Sequence, residues 1–278
     1  MPRQCNCPPN RLNQVSSRGA TGQLGGGQGL RRNIKTYMKR VNDAYVTDAY
    51  HSLSIEGYRV TPELIDRVRS GAWNLEANAD DHEQRNAIAA RGYWQAFQSV
   101  QEGVRRVLQG GNAGRVAEDD HRNWYRELFA PSVTSGLLRP ADLAGYRNGQ
   151  VYIRESMHVP LNRDAVRDAM PAFFELLCVE AEPSVRVVHG HFVFVYIHPY
   201  MDGNGRIARF LMNVMMASGG YPWSVIPVGE ERSAARRFSI RKGLPDSPIF
   251  LPSVGHMSQV SKRTSFRPGR TRRTRDRA

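Results

Sequence analysis

Between residues 80 and 109 the apolar side chains recur at helical spacing. Trp94, Phe97, Val100, Val104, Val107 and Leu108 share one face, and Gly110-Gly111 closes the run. A helix this long with a single apolar stripe must bury that stripe against other elements, and most of the partners the chain offers are again helical. Tyr37, Val41, Ala44, Tyr45 and Ala49 predict a helix running toward Ser52 and stopping near Gly57. Thr61-Pro62-Glu63 reads as a hydroxyl N-cap, a proline at the first helical position and an acid in the first turn. Further helices are predicted at about 119–129 with Pro131 after it, 140–147, and 163–180 with a kink or break at Pro171. Two more are predicted, one from Arg206 to Gly219-Gly220 and a last one over 229–241.

Strand signals are scarce. Asn148-Gly149 is a turn dipeptide, and Val151-Tyr152-Ile153 is strongly β-prone, so one hairpin is expected near 150–158. The stretch 185–197, VRVVHGHFVFVYI, reads as a buried strand by propensity and a buried helix by length. Seven or eight helices and one hairpin make a mainly α fold.

Charge separates the chain into three parts. The 278 residues carry a formal net charge of +13. Residues 1–35 hold +6 with no acid, residues 257–278 hold +7, and 36–256 is formally neutral. The basic ends are poor in apolar side chains, so 1–33 and 251–278 are expected to be disordered arms around a domain at 34–250. Such arms could bind nucleic acid or acidic partners, without sequence specificity and with steep salt dependence. No run of ~20 apolar residues supports a membrane span. The first 30 residues lack the apolar core of a secretory signal. Three cysteines, Cys5, Cys7 and Cys178, cannot build a disulfide framework, so a reduced, cytoplasmic setting is expected.

Chemistry concentrates in HPYMDGNGRIAR, residues 198–209. Gly203 and Gly205 flank Asn204 where a helix begins, so backbone N–H groups and the helix's positive end can cradle an anion. Arg206 and Arg209 are three apart on one helix face and suit a polyphosphate, because each guanidinium can fork onto phosphate oxygens. Asp202 offers a hard oxygen ligand to Mg²⁺. His198 offers an imidazole that can take a proton from an attacking hydroxyl. Each part alone is commonplace; their order within twelve residues is not.

This string resembles the Fic family signature, His-Pro-Phe-x-Asp-Gly-Asn-Gly-Arg-x-x-Arg, with Tyr200 in place of the Phe. His191, Phe194 and Ile197 match the family pattern ahead of the motif, while Val195 stands where a Glu is frequent. The resemblance covers about 36–241 and implies a helical bundle with a β-hairpin flap, which makes 185–197 a helix. It also implies transfer of AMP from ATP to a Ser, Thr or Tyr hydroxyl of a protein, with Mg²⁺ as cofactor and self-modification expected. By position, His198 would be the general base and Asp202 the Mg²⁺ ligand. Gly203, Asn204 and Gly205 would form the anion hole, Arg206 would hold the β-phosphate and Arg209 the γ-phosphate. A phosphorylating branch of the superfamily carries Lys where this chain has Gly205, which speaks against phosphorylation.

Ser52 to Gly57, SLSIEG, resembles a second family pattern, Ser/Thr-x-x-x-Glu-Gly, in an inhibitory helix at about 37–57. By that resemblance Glu56 would pair with Arg209 and exclude the productive pose of ATP, and the same carboxylate could activate water to remove AMP. The flap residues Val151, Tyr152 and Ile153 would dock the target through main-chain hydrogen bonds. Two readings compete: transfer of UMP or phosphocholine on the same fold, and non-enzymatic binding through the basic arms.

Overall fold

The computed structural model describes residues 33–72, 81–153 and 158–229. The fold is mainly α. Helix α1 (Ile34–Ile55) opens on Asn33, whose Oδ1 accepts the Thr36 N–H at 3.0 Å. The predicted cap of α2 (Pro62–Arg69) is present, with Thr61 Oγ1 accepting from Leu64 N–H at 3.2 Å. Helix α3 (Asp81–Leu108) is the long predicted helix, and α4 (Ala113–Thr134) returns beside it after a short turn. The two pack closely at Gly92, where any Cβ would run into the Leu128 carbonyl. Phe97, Val100, Val104 and Trp124 are fully buried in the same core. Full burial of one such side chain contributes about 1.5–3 kcal/mol.

Helix α4 differs from its sequence-based bounds. It starts at Ala113 behind the Asn112 cap, and Pro131 lies inside it rather than after it. The expected helix at 140–147 is a short 3₁₀ turn, Pro140–Leu143. Helix α5 (Arg163–Val179) continues through Pro171 without a break. The ambiguous stretch is helical throughout. It runs as α6 (Pro183–Val188), a π-helical segment (His189–Val193) and α7 (Phe194–Ile197), ending at His198. Helix α8 (Asn204–Gly219) closes on Gly220, and its Phe210, Leu211, Val214 and Met215 are fully buried.

The hairpin flap is a correction. No strand occurs among the described residues. Both flanking stretches, 150–153 and 158–160, lack regular structure, and 154–157 lie outside the described residues. A side chain ties the two stretches together instead: Gln150 Nε2 donates to the Pro160 carbonyl at 3.0 Å. The expected basic arms, apart from Asn33, and the helix expected at 229–241, apart from Gly229, also lie outside the described residues. No described helix is long and apolar enough to cross a membrane.

Candidate active site

Three elements converge: the end of α1, the loop from His198 to Gly203, and the start of α8. His198 terminates α7 in the left-handed region, at φ 54°, and is the only non-glycine residue with positive φ among those described. This conformation costs roughly 1–2 kcal/mol, and the surroundings hold it. The His198 N–H donates to the Phe194 carbonyl at 2.9 Å, and the His198 carbonyl accepts from Arg147 Nε at 2.8 Å. His198 Nδ1 lies 3.2 Å from the Val195 carbonyl. A carbonyl can only accept, so this contact places the ring proton on Nδ1 and leaves the Nε2 lone pair for a substrate. Burial pushes the imidazole pKa down to about 4, so the ring is neutral near pH 7.

Gly203 opens α8 at φ 78°, and no side chain caps the helix start. A Cβ here would meet the Phe129 ring at 2.8 Å, so α4 and the loop can approach this closely only around glycine. The Gly203 N–H donates to Asp202 Oδ1 at 2.6 Å, and Asp202 Oδ2 lies 3.3 Å from Arg206 Nη2. Burial raises the Asp202 carboxyl pKa, against the pull of Arg206. Asn204 is completely buried, and its side chain braces the loop. Its Oδ1 accepts from the Tyr200 N–H at 2.9 Å, and its Nδ2 donates to the Tyr200 carbonyl at 2.8 Å. What Asn204 can offer an anion is therefore its main-chain N–H.

Arg206 is buried with its guanidinium 5.5 Å from the Tyr58 ring centroid and 5.0 Å from that of Phe129. Burial opposes its charge, but Tyr58, Asp202 and Glu56 outweigh it and raise the pKa above its ordinary value. Nε of Arg206 has no hydrogen-bond partner, and Nη2 has only its 3.3 Å ion-pair contact with Asp202. Buried donors left open are costly, and phosphate oxygens would satisfy them. Arg209, by contrast, is fully engaged with α1. Its Nε donates to Ser52 Oγ at 2.8 Å, and its Nη2 to the Ser52 carbonyl at 3.1 Å and to Glu56 Oε1 at 2.7 Å. Glu56 Oε2 is buried without a partner. Behind Ser52, one turn earlier on α1, Asp48 Oδ2 accepts from Tyr93 OH at 2.7 Å. Burial raises the Asp48 carboxyl pKa to about 6.

The predicted residues His198, Asp202, Gly203, Asn204, Gly205, Arg206, Arg209 and Glu56 thus share one site. The flap residues stand apart. Tyr152 is 78% exposed and Ile153 is buried, and neither forms a strand. Sequence reasoning missed two contributors, Tyr58 and Arg147, and quoted Ser52 only as the first residue of SLSIEG, four residues before Glu56 on the same helix face, without giving it a partner. Arg147, beside a turn dipeptide, carried no signal. Asp202 is a lone carboxylate, and no group of three metal-ligating side chains occurs among the described residues. Its donor chemistry fits Mg²⁺ completed by phosphate and water, as is usual for that ion.

The family model described as Fic/DOC family matches residues 115–216. A curated relative, "Protein adenylyltransferase Fic" of Nematostella vectensis, is 28% identical over 68% of this chain and 42% of its own length. The protein of the same name from Drosophila ananassae is 35% identical over 66% of this chain and 34% of its own. The chain spans between a third and a half of the length of these curated relatives. Among solved structures, Fic-1 (residues 134–508) from C. elegans superposes with a TM-score of 0.56 at 20% identity, covering 76% of this chain and 62% of that one. A Fic-domain signalling protein from Bacteroides thetaiotaomicron gives 0.52 at 17% identity, over 75% and 77%. These two structural likenesses establish the fold.

Proposed function

We propose that this chain, whose residues 115–216 match the Fic/DOC family model, transfers AMP from ATP to a Ser, Thr or Tyr hydroxyl of a protein, itself included. The observation that carries the reading is buried Arg206, with Nε unpartnered and Nη2 held only by a 3.3 Å ion pair to Asp202, beside a helix start that no side chain caps. His198 Nε2 takes the proton of the target hydroxyl as its oxygen attacks the α-phosphorus. The bond to the oxygen bridging the α- and β-phosphates breaks, and pyrophosphate leaves. The main-chain N–H groups at the start of α8 meet the charge that builds on the α-phosphate, an effect worth about 10²–10³-fold per donor. Arg206 holds the β-phosphate. Asp202 would hold Mg²⁺, which when bound neutralises phosphate charge.

In the conformation described, Glu56 occupies Arg209, the guanidinium this reading assigns to the γ-phosphate. Glu56 is therefore the brake, and its unpartnered Oε2 suits activation of water for removal of AMP. The catalytic domain spans 34–250, with the basic arms outside it. Incubating Glu56→Gly protein with labelled ATP and Mg²⁺ tests the proposal. Label on the protein that disappears in Glu56→Gly/His198→Ala supports it. Label from UTP or a phosphocholine donor but not from ATP redirects it to another transfer on the same fold.

A further inference from the structure

Arg147 lies at the foot of the flap and is 3% exposed. Among the described residues no carboxylate pairs with it; its charge is met by carbonyl dipoles. Nε donates to the His198 carbonyl at 2.8 Å, Nη1 to the Gly149 carbonyl at 2.8 Å, and Nη2 to the Leu161 carbonyl. Its main-chain N–H donates to the Pro199 carbonyl at 2.8 Å. One residue therefore grips two successive carbonyls of the catalytic loop and one on each side of the flap.

Only a planar fork can reach three carbonyls in different directions; an ammonium has a single nitrogen on a flexible stem. The Gly149 and Leu161 carbonyls bracket the whole flap, from 150 to 160. The His198 carbonyl belongs to the one strained residue of the loop, where a left-handed backbone turns C=O away from α7. Fixing that carbonyl fixes the peptide from which the imidazole projects, and so keeps Nδ1 at Val195. A second contact ties the same parts together, since the His158 ring lies against Tyr196 with centroids 4.1 Å apart, and its Nε2 is 2.9 Å from the Tyr196 carbonyl.

We propose that Arg147 is a positioning residue: by holding the His198, Gly149 and Leu161 carbonyls together, it fixes the peptide from which the His198 imidazole projects and so sets that ring. This rests on the AMP-transfer reading of the site. An attacking hydroxyl would then meet a base already aimed, while nucleotide binding at α8 would not depend on Arg147.

The test compares Arg147→Lys with its parent in a Glu56→Gly background. We expect the labelling rate at saturating ATP to fall about 10–100-fold, the scale of a small misplacement of a reacting group. The half-saturating ATP concentration stays within about twofold. Nitrogen NMR of the imidazole at pH 7 shows the Nδ1–H tautomer in the parent and a mixture in Arg147→Lys. Should Arg147→Lys fail to fold, Arg147→Gln, which keeps an amide donor, is read the same way. An unchanged rate and tautomer would overturn the proposal, as would a rate loss matched by an equal loss of ATP affinity. If the parent takes no label from ATP, the transfer reading fails, and the tautomer comparison alone decides whether Arg147 sets the ring.

Discussion

Glu56 and Arg209, 153 positions apart in sequence, meet at 2.7 Å with side chains 2% and 5% exposed. Neither charge has water to fall back on, so each requires the other. A buried pair of this kind adds little net stability, yet removing one partner costs about 3–5 kcal/mol. Glu56 caps the C-terminus of α1 and stands over the N-terminal turn of α8, where helix polarity favours a carboxylate. The contact joins α1 to α8 and occupies the guanidinium that the AMP-transfer reading assigns to the γ-phosphate.

Removing that carboxylate frees Arg209. Glu56→Gly is predicted to raise AMP incorporation roughly 5–150-fold, the usual span of a coupling between two sites. Its melting temperature falls, because Arg209 keeps only Ser52 as partner. Glu56→Gln, which keeps the shape and loses the charge, falls between the two in labelling. Equal incorporation by wild type and Glu56→Gly, followed by intact mass, contradicts the brake.

Gly205 and Glu56 share space. A Cβ at Gly205 would lie 2.5 Å from Glu56 Oε1 and 3.3 Å from Arg209 Nη1. Gly205→Ala is therefore predicted to destabilise the wild type and to cost less in a Glu56→Gly background. The expected coupling in a double-mutant cycle of unfolding free energies is about 0.5–3 kcal/mol. Strictly additive effects would mean that Glu56 does not sit over Gly205 in solution.

Acid sensitivity follows from buried imidazoles. Burial pushes His121 to a pKa of about 4, whereas an unfolded imidazole titrates near 6.5. Between about 4 and 6.5 the unfolded chain holds a proton that the folded chain refuses, so this contribution is full above about 6.5 and lost as pH falls through about 4. The stability advantage of wild type over His121→Gln is predicted to shrink across that window. Asp48, raised to about 6 by burial, has the opposite sign. Its contribution is present below about 3.8 and lost as pH rises through about 6, so Asp48→Asn gains on wild type as pH rises. Chemical denaturation at four or five pH values reads both slopes, and pH-independent differences would refute them.

Local chemistry made much of this legible. Thr61-Pro62-Glu63 predicted its helix start because a cap is a contact within four residues. The motif at 198–209 gathered its own site because one turn and one helix place all of it. Glu56 opposite Arg209 came from family resemblance, since no spacing rule joins positions 153 apart. The long-range contacts stayed hidden for the same reason: Arg147 reaches a carbonyl 51 residues away. Propensity misjudged Val151-Tyr152-Ile153, which is β-prone but has no ladder partner among the described residues. It also left 185–197 open, because exposed positions there, Val185 and Tyr196, are themselves apolar and so hide the polar face that would have revealed a helical period.

Asp202 gives the metal its own test. Asp202→Asn is predicted to abolish most of the Mg²⁺-dependent part of ATP binding while leaving the metal-free part nearly unchanged, because Arg206 and the start of α8 remain. Calorimetry with ATP in Mg²⁺ and in EDTA separates the two. A variant whose binding responds to Mg²⁺ as the wild type does would remove Asp202 from the metal's shell.

The most direct test of the whole account is the intact mass of Glu56→Gly protein after incubation with ATP and Mg²⁺, set beside Glu56→Gly/His198→Ala. The account predicts a gain of one or more AMP units in the first protein and none in the second. No gain in the first, or an equal gain in both, would contradict it.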